Sequence, residues 1–284
     1  MSRVLAIDMP RAVWRQPVIG VGAILFLYAP IFPPLVHEWM SFPNLSHGFA
    51  VPLIAAYLVW TRRERFIGLP AAPTWWGLSL LVPGLVLYTL ASLGSEPFFA
   101  RLSFPVTLAG GVLLLAGVGI TRHVLPGIAY LVFMMPLPYV VLKGLTQHAT
   151  LFDARVTAAV LPWIGVPVHR RGTLLHLANM TLEVAEACSS VPAIASFLAL
   201  AAAYGVVRRR STRVTVLLLA AAIPLGVASN LVRIVLTAVG VYHLGPVAVH
   251  NVVHTWTGTT VFLMTFGALC LFDATVERLR RGPR

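Results

Sequence analysis

The stretch VTVLLLAAAIPLGVASNLVRIVLTAVGV, residues 214–241, is long and apolar enough to cross a lipid bilayer. A membrane-spanning helix needs roughly 20 consecutive apolar residues. Arg233 is the one charged residue in the stretch, and a cluster of arginines lies just before it at 208–210 and 213. The sequence therefore predicts a transmembrane helix that carries a single charge within its apolar run.

The composition of the whole chain agrees with that interpretation. Of the 284 residues, 58% are hydrophobic and only 11% are charged, whereas soluble domains are about 25% charged. The net charge is +12, but the basic residues gather at the ends of apolar runs, as membrane topology requires. No basic face with base-reading residues is seen, so no nucleic-acid partner is predicted. The chain is predicted to be an integral membrane protein.

Further apolar runs predict an all-α, polytopic transmembrane helical bundle that forms a single domain over 1–284. The predicted spans are 17–36, 48–61, 75–93, 103–121, 124–142, 188–206, 214–240 and 255–273. Clusters of arginines follow the second, sixth and eighth spans, Arg122 alone follows the fourth, and short basic loops stay in the cytoplasm. We therefore expect eight spans with both termini cytoplasmic. The first apolar run lacks a small-x-small cleavage site and is predicted to remain as a span.

The segment 143–187 is the only long loop on the outer side of this predicted topology. Its first half, 142–164, has charged residues among apolar ones, which is typical of an amphipathic helix at the membrane surface. Its second half has two short runs, 173–178 and 181–185, that include several β-branched residues and flank Asn179. This pattern predicts a small β-hairpin that leads to Cys188.

Cys188 is expected at the start of the sixth span. Ser189 after it is a good helix-capping residue, and the positive end of a helix dipole lowers the pKa of a thiol. Glu186 opposes this effect with its negative charge, or orients a cation such as Arg233. Cys270 is predicted on the opposite side of the membrane, as a buried core thiol that forms no disulfide with Cys188.

Arg233 and His254 are predicted to lie on the same membrane side as Cys188. An arginine inside an apolar span costs about 2.5–3.5 kcal/mol, which favours a functional role over snorkelling to the boundary. Asn230 precedes Arg233 by three residues and shares its helix face. His254 opens the eighth span and suits proton transfer near neutral pH. His47, also on the outer side, borders the site or caps the second span.

Metal binding is a weaker interpretation of these histidines. His250 and His254 are four residues apart on one helix face, which is a spacing that zinc sites use. A third ligand of usual type and spacing does not accompany them. No metal is therefore predicted.

Four short motifs occur in order along the chain, and together they resemble the exosortase/archaeosortase family of integral-membrane cysteine transpeptidases. The motifs are Ser46-His47-Gly48, the Val-x-Glu-x-Cys-Ser block of 184–189, Asn230-x-x-Arg233 and His254-x-x-x-Gly258. The resemblance covers roughly residues 15–275, including the number of spans. The chain departs from the family at Ser190, where glycine is common.

The resemblance implies catalytic Cys188, Arg233 and His254, supported by Glu186, Ser189, Asn230, His47 and Gly258, with no cofactor. It also implies a bacterial inner-membrane enzyme whose active site faces the periplasm, among membrane lipids. The expected partner is the C-terminal sorting-signal helix of secreted proteins, with a Pro-Glu-Pro-like motif before it and a basic cluster after it. An acceptor, a lipid or a polysaccharide, would then take the protein from Cys188, in a step linked to exopolysaccharide production.

Three other classes of protein stay open beside this one. A transporter or export component would line a path with intramembrane polar residues. A serine or zinc intramembrane hydrolase lacks support, because neither Gly-x-Ser-x-Gly nor His-Glu-x-x-His occurs. A noncatalytic assembly protein would contain an inert cysteine that does not react with iodoacetamide at mildly acidic pH.

Overall fold

The computed structural model describes residues 11–66, 68–186, 189–245 and 251–281, with the backbone alone for 11–14, 43, 44, 251–257 and 281. The chain divides into two units, Met1–Leu137 and Pro138–Arg284. The prediction of a single domain over 1–284 stays a prediction.

The first unit consists of helices joined by short connections. They are α1 (Arg11–Leu27), α2 (Phe32–Ser41), α3 (Ala50–Trp60), the short α4 (Arg63–Phe66), α5 (Leu78–Leu93) and α6 (Pro97–Tyr130). Helices α1 and α2 meet at a bend of 46°. Three prolines lie at 30, 33 and 34, and proline breaks helical hydrogen bonding. The predicted first span, 17–36, is therefore a bent pair that continues to Ser41.

Helix α6 folds back on itself at Gly117. Arg101, near the start of α6, pairs with Glu38 at 2.7 Å. Met134, just beyond the end of α6, accepts a hydrogen bond at its carbonyl oxygen from Trp39, the residue next to Glu38, at 3.1 Å. A straight helix would hold residues 101 and 134 about 50 Å apart. Gly117 has φ 82° and ψ 175°, a conformation that favours glycine, and a Cβ there would lie 2.0 Å from the oxygen of Ala72. The chain therefore reverses at this glycine.

The reversal divides α6 into two antiparallel arms, where the sequence predicted the spans 103–121 and 124–142. The turn comes at Gly117 rather than after residue 121, at a backbone conformation that favours glycine. The second arm ends at Tyr130, and a new helix begins at Tyr139. Prolines at 136 and 138 lie in this break, so the predicted end at residue 142 is wrong.

The second unit begins with α7 (Tyr139–Val160), which continues into a 3₁₀ turn, Leu161–Ile164. A three-stranded antiparallel sheet follows, with strand order β1-β2-β3. The strands are β1 (Val168–Arg171), β2 (Leu174–Leu177) and β3 (Thr181–Glu183). Three long helices complete the unit: α8 (Ser190–Val207), α9 (Thr212–Leu244) and α10 (Asn251–Arg281). The hairpin predicted around Asn179 is present as β2 and β3, whereas β1 was not predicted.

Helix α7 buries its polar face and exposes apolar side chains. Thr146, Thr150, Asp153 and Thr157 recur at helical spacing and are all buried. Apolar residues such as Val140, at 81% exposure, cover the outside. A helix in water does the reverse. This arrangement suits an element with lipid outside and a polar site inside.

The predicted class, an all-α polytopic membrane protein, is confirmed. Among the described residues, five helices are long and apolar enough to cross a membrane, or six if the bent pair α1–α2 forms one span. Helix α6 with its 3₁₀ extension counts once among the five, although it reverses at Gly117. The predicted number of eight spans stays a prediction.

Candidate active site

Asp153 is the centre of a buried polar cluster in the second unit. Its side chain lies on α7 and is fully buried. The Oδ2 atom accepts hydrogen bonds from the backbone N–H of Ser190 at 2.8 Å and from Nδ2 of Asn230 at 3.0 Å. One carboxyl oxygen therefore ties α7 to the first residue of α8 and to the middle of α9.

The start of α8 is capped by Asp153 and not by its own serine. Ser189 occupies the N-cap position with extended backbone, as its residue type predicts, but its side chain makes no capping hydrogen bond. Its Oγ is buried without a partner among the described residues. The first N–H groups of a helix need acceptors. The carboxyl group of Asp153 provides one from a different helix.

Asn230 connects this cap to Arg233. Nη2 of Arg233 donates to Oδ1 of Asn230 at 2.9 Å, while the amide of Asn230 donates to Asp153. A guanidinium has only N–H donors, so Oδ1 of Asn230 must face Arg233 and its amide N–H groups are directed toward Asp153. The guanidinium of the half-buried Arg233 is therefore fixed on one side by Asn230. Asn230 is itself held between α9 and α7 by its hydrogen bond to Asp153.

Burial raises the pKa of Asp153 above the usual value for aspartate. Desolvation disfavours the charged form. The hydrogen bonds from Ser190 and Asn230 and the charge of Arg233 act in the opposite direction and are smaller effects. The carboxyl group therefore holds its proton to higher pH in the folded protein than in an exposed position.

Helix α10 approaches Arg233 through Gly258. A Cβ on Gly258 would lie 3.7 Å from Cδ of Arg233, which is ordinary van der Waals contact. Gly258 is thus the point where α10 faces the aliphatic part of the Arg233 side chain. His254 is four residues earlier in α10, and positions four apart share a helix face. The side chain of His254 lies outside the described residues.

Cys188 also lies outside the described residues, and one residue separates it from Ser190 in the chain. Glu186, predicted to orient a cation, is exposed, and the described residues show no ion pair between it and Arg233. Cys270 is a free, half-buried thiol on α10, sixteen positions after His254. His47 belongs to the first unit, in a 3₁₀ helix, Pro43–Phe49. Its neighbour Gly48 is packed against the Trp39 ring, where a Cβ would lie 2.3 Å from Nε1.

The opposite end of the second unit holds the basic residues. Arg210 pairs with Asp273 at 2.6 Å and with Glu277, and Arg280 donates to Ser211 at 3.3 Å. Helix α8, with 18 residues, spans about 27 Å between the two ends. The Asp153 cluster and the arginine-rich end are therefore separated by nearly the thickness of a bilayer core. No group of three metal-binding side chains occurs in the part of the chain that the structure describes.

Asp153 is the site residue that sequence interpretation missed. The pattern of 142–164 predicts it to be one of several charges on an amphipathic surface helix. The available signal was the polar stripe of residues 146, 150, 153 and 157, whose period follows one helix face. In a chain this apolar, a stripe of that kind indicates an inward polar face and therefore a site.

The fold and this cluster define a multi-pass membrane protein with a polar site at the beginning of one spanning helix. Residues 39–271 match the family model of the transmembrane exosortase. The protein therefore belongs to the transmembrane exosortase family, which implies a membrane transpeptidase-type function with cysteine peptidase chemistry. No curated protein and no solved structure matches the chain.

Proposed function

We propose that the protein is a membrane cysteine transpeptidase that cleaves a C-terminal sorting signal of secreted proteins and holds them as a thioester on Cys188. One observation carries the proposal: the hydrogen-bonded series from Arg233 through Asn230 to Asp153 ends on Ser190, two residues after Cys188. The arginine and the start of α8 are thus held by the same carboxyl oxygen. Family membership supplies the chemistry class.

In the first step, the thiolate of Cys188 attacks the carbonyl carbon of the scissile peptide bond. A C–S bond forms and the carbonyl electron pair moves to oxygen, where the charge of Arg233 stabilises it. When this intermediate collapses, the C–N bond breaks and His254 gives a proton to the leaving amine. The released fragment carries the transmembrane helix of the substrate, and the secreted protein stays on the sulfur.

In the second step, an acceptor nucleophile attacks the thioester carbon. His254 takes the proton of the acceptor, the C–S bond breaks and the thiolate of Cys188 is restored. Asp153 and Asn230 do not touch the reacting atoms in this scheme. They are positioning residues that hold the guanidinium and the start of α8 in a fixed relation.

The site is proposed to face the periplasm of a bacterial inner membrane, with both termini in the cytoplasm. Arg210 and Arg280 lie at the end of the second unit opposite Asp153, and short basic segments favour the cytoplasmic side. The substrate is proposed to carry a Pro-Glu-Pro-like motif, a transmembrane helix and a basic cluster. The acceptor is proposed to be a lipid or a polysaccharide, which would connect the reaction with exopolysaccharide production.

The experiment is co-expression with an epitope-tagged secreted protein that ends in such a signal. We expect the wild type to shorten the tagged protein. The Cys188→Ala variant should leave it at full length, and Cys270→Ala, the matched thiol control at the other end of the unit, should process it normally. Processing by Cys188→Ala at the wild-type rate would refute the proposal.

A further inference from the structure

Strand β3 lies at the edge of the small sheet. In the strand order β1-β2-β3, it pairs with β2 on one side. The described residues place no strand on its other side. Its turn from β2 is fixed to α9, because Nδ2 of Asn179 donates to the carbonyl oxygens of Val241 at 2.8 Å and Tyr242 at 3.2 Å. The free edge is therefore held in place by the helix that carries Arg233.

The hydrogen-bond register shows which backbone groups of β3 point outward. The N–H of Val184 donates to Thr173, and the N–H of Leu177 donates to Met180, so positions 180 and 184 face β2. Antiparallel strands alternate between residues that bond their partner and residues that face away. By that alternation Leu182 faces β2, while the N–H and C=O groups of Thr181 and Glu183 point away from the sheet.

The end of β3 lies beside the candidate active site. Val184 is buried in a cluster with Ala154 and Ile234, against which Leu182 also packs. Ala154 follows Asp153 and Ile234 follows Arg233 in the chain. From Glu183, only four residues intervene before the one that carries the proposed nucleophile, Cys188. The outward backbone groups of β3 therefore lie at the same end of the unit as the candidate active site.

We infer that the substrate binds as an extended peptide that adds a fourth strand to the free edge of β3. This inference rests on the proposed function, which requires a peptide to reach Cys188 in a conformation that exposes its scissile carbonyl. The N–H and C=O groups of Thr181 and Glu183 bond the peptide backbone, so recognition along this edge does not depend on peptide sequence. The exposed side chains of Thr181 and Glu183 leave the edge accessible.

Proline substitution tests this inference directly, because proline lacks an N–H and is tolerated on strand edges that face away from the ladder. Glu183→Pro removes one outward N–H, whereas Glu183→Ala removes the same side chain and keeps the N–H. The probe is a fluorescein-labelled peptide with the residues that precede the transmembrane helix of the co-expressed substrate. We expect its Kd and KM to be about fivefold to tenfold higher for Glu183→Pro than for Glu183→Ala, with similar kcat.

The dependence of cleavage on Cys188 and the oligomeric state of the protein, measured beside Kd, distinguish the ways in which the inference can fail. Equal Kd values for the two Glu183 variants, with cleavage still dependent on Cys188, would overturn strand addition and leave the proposed function intact. If the wild type shows no cleavage that depends on Cys188, the proposed function is overturned. The comparison of Kd values for the two Glu183 variants still decides strand addition. A wild-type dimer that Glu183→Pro converts to a monomer would show that a second copy occupies the edge.

A version of the probe with altered backbone keeps the test independent of protein folding. N-methylation of single amides outside the prolines of the peptide, which have no N–H, blocks one hydrogen bond at a time. Strand addition predicts that affinity falls at every second methylated position, following the period of a β-strand. A uniform or absent effect along the peptide would contradict the inference.

Discussion

Asp153 on α7 and Asn230 on α9 are joined by a buried hydrogen bond of 3.0 Å, although 77 residues separate them in the chain. The same oxygen of Asp153 also accepts the N–H of Ser190. A single carboxyl group therefore sets the relation between the start of α8 and the amide that holds Arg233. Its removal should affect catalysis without touching a reacting atom.

Asp153 provides both a hydrogen-bond acceptor and a carboxyl group that can be charged, and two substitutions separate these properties. Asp153→Ala leaves two buried donors without an acceptor, at a cost of about 1–3 kcal/mol each, and should lower kcat by at least tenfold. Asp153→Asn keeps an oxygen for both donors and should retain most of the activity. The measurement is kcat and KM for cleavage of the tagged substrate. Equal losses in the two variants would contradict a positioning role.

The second prediction concerns pH and stability. Burial raises the pKa of Asp153 in the folded protein, so the protonated form is favoured by folding. The stabilising contribution is present below the unfolded pKa of about 3.9 and is lost as pH rises through the raised folded value. Asp153→Asn stays neutral, so its Tm should gain on the wild type as pH increases from about 4. Parallel Tm profiles in detergent would contradict the shift.

The third prediction tests Arg233 as the group that stabilises the oxyanion. Loss of one such donor typically costs about 10²–10³ in rate, so Arg233→Ala should reduce kcat by that factor. Arg233→Lys keeps the charge but not the planar fork and should recover part of the loss. Arg213→Ala, at the other end of α9, is the control and should remain active. An unchanged kcat for Arg233→Ala would contradict the assignment.

The fourth prediction uses the contact between α10 and Arg233. At Gly258 a Cβ would lie 3.7 Å from Cδ of Arg233, so Gly258→Ala should be nearly silent. Gly258→Leu requires the guanidinium stem to move, and a displacement of about 1 Å can cost 10²-fold in rate. Gly267→Leu on the same helix is the control, because a Cβ there would have no atom within 4 Å apart from the neighbouring backbone of its own helix. A fully active Gly258→Leu enzyme would show that α10 does not constrain Arg233.

Much of the fold was predictable, because long apolar runs such as 214–241 have few alternatives to a membrane helix. The position of the reversal in α6 was not, because it depends on the backbone conformation of Gly117 and its close approach to Ala72. Apolar length alone also could not reveal the 46° bend between α1 and α2. Neither feature changes the hydropathy pattern from which spans are predicted.

The candidate site was also predictable only in part. Arg233 stood out because a charge within an apolar run is costly, and Asn230 because it lies one helical turn earlier. Asp153 did not, because its partners Ser190 and Asn230 are brought to it by tertiary packing over 37 and 77 residues. Ser189 was correctly placed at a helix start. Its expected capping bond is instead made by Asp153, which no local pattern predicts.

The most direct test of the account is to trap a covalent adduct on Cys188 with the co-expressed tagged substrate. We expect a species with the combined mass of enzyme and processed substrate. It should survive denaturation, be released by neutral hydroxylamine as a thioester is, and map to the peptide containing Cys188. The Cys188→Ala variant should lack it and the Cys270→Ala variant should retain it. An adduct on another residue, or processing at the wild-type rate by Cys188→Ala, would contradict the central claim.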